Sequence, residues 1–203
     1  MAIPSSVSEV IEAAILARVM PGAALGVLRR GQLELRAVFG RERYEPDAAK
    51  IRLDSLWDLA SITKVMGTTT ILARMVGSGE IGLDDRLDSI LREAPAPGGG
   101  ATLRDLLAHR AGLAAELNLG RTRRALAVSG RPTVVAARRR LIVRAASRTL
   151  GEIGSHCLYS DIGMQLLGLA LERRAGRSLR ALVRQHLQGG LGLMETCYGP
   201  VNL

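Results

Sequence analysis

The chain has 203 residues, enough for one well-buried domain and short for two. One Trp, one Phe and three Tyr leave almost nothing for stacking on bases, so the core must be built from Leu, Ile, Val and Ala. The net charge of +9 is local, because residues 121–148 hold nine Arg and no acid; nucleic acid is therefore disfavoured as a general partner.

Taken in chain order, Val7, Val10, Ile11, Ala14 and Ile15 recur at helical spacing and predict an amphipathic helix over 7–19, ended by Pro21-Gly22. Glu9 and Glu12 inside it are unlike a basic leader, and no apolar run reaches membrane-span length. The expected location is cytoplasmic, with no membrane span. The apolar run 23–28 and the alternating Leu33, Leu35, Ala37 and Phe39 flank a polar Arg29-Arg30-Gly31-Gln32, which predicts a β-hairpin. From Ser61 onward, Val65, Met66, Thr69, Ile71, Leu72 and Met75 predict a helix that Gly77-Ser78-Gly79 breaks.

Thr102 with Asp105 has the spacing of a capping box, opening a short helix through Leu103, Leu106 and Leu107 that closes near His109. The Arg-rich stretch 121–148 should be loosely ordered and pack little, since unpartnered cations resist burial. Ile162, Leu166, Leu167, Leu169 and Ala170 mark a further helix, closed by Gly176. Ser178 caps a last one carrying Leu179, Leu182, Val183 and Leu187. Helix, hairpin and then helices define an α+β class with an unfinished antiparallel sheet, because two strands alone are marginal.

Chemistry concentrates at two places. Ser61-Ile62-Thr63-Lys64 puts a hydroxyl and an amine three residues apart, on one helix face. For Lys64 to act as a base, its pKa must be depressed by burial or by nearby positive charge. Read alone, the pair is better taken as a helix cap and a solvated cation. Lys64 is, however, one of only two Lys beside 26 Arg, so it is a poor candidate for casual surface charge. Tyr159-Ser160-Asp161 precedes a helix; a phenol near cations can move a proton, while Asp161 reads equally as an N-cap. Cys157 and Cys197 lack metal-ligand spacing, and neither a metal nor another cofactor is expected.

The motifs occur together in an order that resembles the serine β-lactamase and penicillin-binding superfamily, in its class C β-lactamase and esterase branch. The resemblance runs through Pro21-Gly22-Ala23-Ala24, Asp58-Leu59-Ala60-Ser61-Ile62-Thr63-Lys64, and the segments 79–85 and 102–113. It continues in Tyr159-Ser160-Asp161-Ile162-Gly163 and the segment 191–196. It implies a partial β-lactamase/DD-peptidase-like fold over 1–203 as one truncated domain, with 114–155 as a divergent Arg-rich insertion. It also implies an acyl-enzyme on Ser61, with Lys64 as activating base, Tyr159 as proton shuttle and Asp161 orienting Lys64. The substrate would be a small ester, amide or lactam. His109 reads as structural, and His156 and His186 as solvated. The family's third motif, Lys-Thr-Gly or His-Thr-Gly, does not follow Tyr159 in this chain. A non-catalytic binding relative is therefore the alternative, and an anionic-polymer binder working through the Arg-rich stretch a further one.

Overall fold

The computed structural model describes residues 3–116 and 131–198. The chain divides into two compact units, Met1–Asp58 and Leu59–Leu203.

The first unit begins with α1 (Ser5–Leu16), shorter at its end than the periodicity predicts and without a fully buried side chain. The predicted hairpin follows as β1 (Gly22–Arg29) and β2 (Gln32–Gly40). The strands pair antiparallel from Gly22↔Gly40 to Arg29↔Gln32, with a register shift between Val27 and Leu28. Arg30 and Gly31 connect them at φ 51° and 78°. Positive φ at both central residues is the type I′ geometry, whose twist matches that of the flanking strands; Gly31 supplies it without steric cost. Beside the turn, the Arg29 guanidinium clasps Glu34 through two hydrogen bonds of 2.7 Å.

The second unit is helical. A π-type turn, Lys64–Thr69, runs into α2 (Thr70–Gly77). Then come α3 (Leu87–Ile90), α4 (Leu103–Leu107), α5 (Arg131–Ala145), α6 (Asp161–Ala175) and α7 (Leu179–Val183), which continues as a second π-type turn, Arg184–Gly189. At the centre lies α6, which packs against α3, α4, α5, α7 and the first π-type turn. Its Ile162, Met164, Leu166, Leu167, Ala170 and Leu171 are all buried, so the helix is apolar around most of its circumference, as an enclosed helix must be. Ile71, Leu72, Met75, Leu103, Leu106 and Leu187 complete this core. Each such side chain stabilises the fold by about 1.5–3 kcal/mol relative to exposure.

Local signals set the helix ends. Gly176, at φ 64°, closes α6, and Ser178 caps α7 by accepting from the Ala181 N–H. The capping box at α4 is complete: Thr102 Oγ1 accepts from the Asp105 N–H at 3.1 Å, and Asp105 accepts from the Thr102 N–H at 3.0 Å. Replacing Thr102 by Ala should cost about 1 kcal/mol of stability. Chemical denaturation should show this as a lower midpoint at unchanged slope.

The Arg-rich stretch does not follow its sequence expectation where it is described. Ile142, Val143, Ala145 and Ala146 are buried in the core, and Arg139 lies 3.7 Å from Glu172. The physical reason is that α5 has an apolar edge at its C-terminal end, which the surrounding cations mask in a charge count. Residues 121–130 of that stretch lie outside the described residues. Helices with a two-stranded antiparallel sheet constitute the partial α+β fold expected. Among the described residues, no helix is long and apolar enough to cross a membrane.

Candidate active site

Ser61 stands at the entrance to the first π-type turn, where the backbone N–H of Lys64 donates to its carbonyl at 3.0 Å. The residue before it, Ala60, has φ 43°, in the left-handed region that a side chain disfavours. Such local strain is characteristic of positions whose geometry the surrounding fold imposes. The side chains of Ser61 and Lys64 meet, with Lys64 Nζ donating to Ser61 Oγ at 3.0 Å.

Two further groups come from a segment about one hundred residues downstream. Asp161, the first residue of α6, places Oδ1 2.8 Å from Lys64 Nζ. The Tyr159 phenol faces the same pair, and Lys64, then Ser61, act on its acidity. Lys64 Nζ also lies 4.9 Å from the centre of the Tyr159 ring, within cation–π range. All four residues named from the sequence are thus gathered in one cluster. It is open on one side: Ser61 is exposed and Tyr159 is 52% exposed, whereas the Lys64 side chain is only 18% exposed.

The electrostatics differ from the expectation for Lys64. Its hydrogen bond to Asp161, then that to Tyr159, hold its ammonium above the usual Lys range and outweigh the opposing effect of burial. A paired carboxylate wins over desolvation here. That direction is opposite to the depression a base role would require, and it favours the ammonium form. Tyr159 moves the other way: hydrogen bonds from Lys64 and from Ser61 pull its phenol below the ordinary Tyr value. Of the groups gathered at Ser61, the phenol is the one made more acidic.

Several roles were not legible in the sequence. The N-cap of α6 is Ser160, whose Oγ accepts from the Gly163 N–H at 3.0 Å and donates to the Ala114 carbonyl at 2.7 Å. Asp161 is thereby freed from capping to face Lys64. A Ser just ahead of an apolar helical pattern was the available signal. His109 is tied to the same segment: its Nδ1 accepts from the Ser160 N–H at 3.1 Å, and its ring packs on Tyr159 with centroids 4.6 Å apart. Burial, then Lys64, push its imidazole below the usual His value, with Asp161 opposing. His156 is exposed as expected but not free of partners, since Nδ1 lies 2.8 Å from Ser155 Oγ.

Behind the cluster lies a cavity of about 450 Å³, walled in part by Lys64, Asp161, Gln165, Glu172 and Tyr198 but by neither Ser61 nor Tyr159. Among the described residues there is no group of three or more His, Cys, Asp or Glu able to hold a metal ion.

Comparison with known proteins places the arrangement in context. A family model described as Beta-lactamase matches residues 7–202. The chain is 29% identical over 209 residues to an N-acetylmuramyl-L-alanine amidase of Bacillus subtilis, covering 96% of this chain and 46% of that protein. It is 28% identical to a putative D-alanyl-D-alanine carboxypeptidase of Escherichia coli, covering 89% of this chain and 44% of the other. The chain therefore spans about half the length of the curated relatives it matches. Among solved structures, EstCE1, a hydrolase with promiscuous acyltransferase activity, superimposes with a TM-score of 0.75 at 26% identity, over 93% of this chain and 51% of its own. A class C β-lactamase from Rhodobacter sphaeroides gives 0.72 at 23% identity, over 93% and 49%; at that identity the likeness is one of fold.

Proposed function

Because the chain belongs to the Beta-lactamase family, we propose that it carries the nucleophilic part of a serine hydrolase that forms an acyl-enzyme on Ser61. The observation supporting this most directly is that Lys64 meets Ser61 and Asp161 together, with the Tyr159 ring against the same amine. The substrate class is a small ester, amide or lactam. The amidase and carboxypeptidase relatives speak for an amide carbonyl, and the hydrolase with acyltransferase activity for an ester.

In this reading, Ser61 Oγ attacks the carbonyl carbon while its proton passes to the Tyr159 phenolate. Lys64 stays an ammonium throughout. It stabilises the phenolate before attack and, through Asp161, keeps its own place. Collapse of the tetrahedral adduct breaks the bond to the leaving group, which takes the proton from Tyr159. Water then attacks the acyl-serine with the phenolate again accepting a proton, and hydrolysis regenerates Ser61.

No Lys-Thr-Gly or His-Thr-Gly follows Tyr159 within these residues. By resemblance, that motif's strand contributes one of two oxyanion donors, and removing one donor costs about 3–4 kcal/mol in the transition state. Purified as these 203 residues, the chain is expected to cleave an activated nitrophenyl ester slowly, with Ser61 acylated as chromophore is released. Cleavage of a chromogenic cephalosporin should stay below detection. Stopped-flow absorbance on the purified chain reads both. Ester cleavage no faster than in buffer would overturn the proposal in favour of a non-catalytic binding role.

A further inference from the structure

Resting on the serine hydrolase reading, we propose that neutral His109 is the positioning residue of the site: it fixes the two backbone amides on either side of Tyr159, and protonation of its ring releases the phenol from Ser61.

Two bonds and one stack carry the argument. The Leu158 N–H donates to the His109 carbonyl at 2.9 Å, and the Ser160 N–H donates to His109 Nδ1 at 3.1 Å. Tyr159 lies between those amides, with its ring against the imidazole at 4.6 Å and 40°. One residue thus holds the tripeptide by main chain, by side chain and by ring face. Ser160 is only 3% exposed, so its N–H has no solvent to turn to if Nδ1 ceases to accept. Nor can Ser160 readily shift, because its own hydroxyl is committed to Gly163 and Ala114.

The geometry demands one protonation state. Nδ1 accepts only when the ring is neutral with its proton on Nε2. Adding a proton at Nδ1 would set two donors face to face. His109 itself sits at φ 57°, a left-handed conformation that His and Asn adopt more readily than most residues. The charged and titratable groups facing it are Lys64 from the π-type turn, Asp161 from α6 and Tyr159 from the intervening segment. Its neighbour Arg110 is turned away to the Gly154 carbonyl, and Cys157 rests its thiol against the Ala108 carbonyl. Burial, then the Lys64 cation, disfavour a second charge here and so favour the neutral ring. By the same sign, the unfolded chain binds this proton more readily than the folded one. Stability is then fully present above the ordinary His range and is lost as pH falls through the His109 value.

Two substitutions and two readouts test the proposal. In His109→Asn, Oδ1 can take the place of Nδ1 as acceptor without titrating. In His109→Gln, the acceptor sits farther out, near the place of Nε2. Acylation of Ser61 by a fluorophosphonate is followed from pH 5 to 9, together with the ¹⁵N–¹H signals of Leu158 and Ser160. Wild type should lose acylation with a slope steeper than one below the His range, as both amide signals move. His109→Asn should keep the wild-type rate within about threefold at pH 8 and show unit slope in acid, with both signals still. His109→Gln should fall at least tenfold at pH 8 while its circular dichroism stays native. Equal rates for the two variants, or a Ser160 signal indifferent to pH in wild type, would overturn the role of His109. Titrating amides in a chain whose Ser61 never reacts would instead sink the hydrolase reading and leave the His109 clamp standing.

Discussion

Ser61→Ala is expected to abolish acyl transfer to the chain, with the acyl adduct disappearing from the peptide that holds residue 61. In a complete serine hydrolase such a loss is on the order of 10⁶ in kcat. For this chain the loss is read as the return of the acylation rate to the buffer rate. The substitution removes an exposed hydroxyl and one hydrogen bond from Lys64, which keeps Asp161 as its partner. The fold should therefore be unaffected, and intact-mass spectrometry after ester treatment gives the answer directly. An adduct that persists on the variant would assign the reactivity to another group, with the exposed Cys157 and Cys197 the first to examine.

Lys64→Met should be nearly as damaging, for a different reason. The nucleophile remains, but the cation that draws the Tyr159 phenol below its ordinary value is gone, and Asp161 loses its partner. Proton transfer by a well-placed base is worth about 10²–10⁴ in rate, and most of that should be lost. The direction of the pH effect is diagnostic. With Lys64 absent the phenol titrates higher, so the rising limb of acylation against pH moves toward alkali. If Lys64 were instead the base, its removal would abolish the limb rather than displace it. Asp161→Asn separates the two further. It keeps an acceptor for Lys64 but removes the main cause of its raised pKa, so the amine falls toward the usual Lys value. Single-turnover acylation across pH for the two variants decides which residue takes the proton.

What could be read without coordinates follows the range of the interaction involved. The capping box of Thr102 and Asp105 spans three residues, and the type I′ turn at Arg30-Gly31 spans two, so both were visible as local chemistry. The facing of Ser61 and Lys64 was visible for the same reason. The raised pKa of Lys64 was not, because it depends on a carboxylate 97 residues away whose orientation requires Ser160 to take over the cap (161 − 64). His109 was read as structural, and its clamp on the Tyr159 segment escaped because the bond to Ser160 joins positions 51 apart. The core edge of α5 was obscured by composition: apolar Ile142 and Val143 sit among Arg residues whose charge dominated the reading. The bulge at Val27/Leu28 carries no sequence mark that we can identify.

The π-type turn between Lys64 and Thr69 bears on how this chain should be aligned with others. Such a turn closes its hydrogen bonds one residue farther along than an α-turn and occurs mostly as a single-turn bulge inside an α-helix. Ser61 precedes it and Lys64 is its first residue, while the buried Ile71, Leu72 and Met75 follow it. Deleting one residue within 65–69 would let the helix close as an ordinary α-turn while the hydroxyl–amine pair kept its heading relative to the buried face. A one-position gap there, between two otherwise similar chains, leaves the chemistry untouched. The same gap between Ser61 and Lys64 would rotate the amine by about 100° off the face it shares with the hydroxyl, at 3.6 residues per turn.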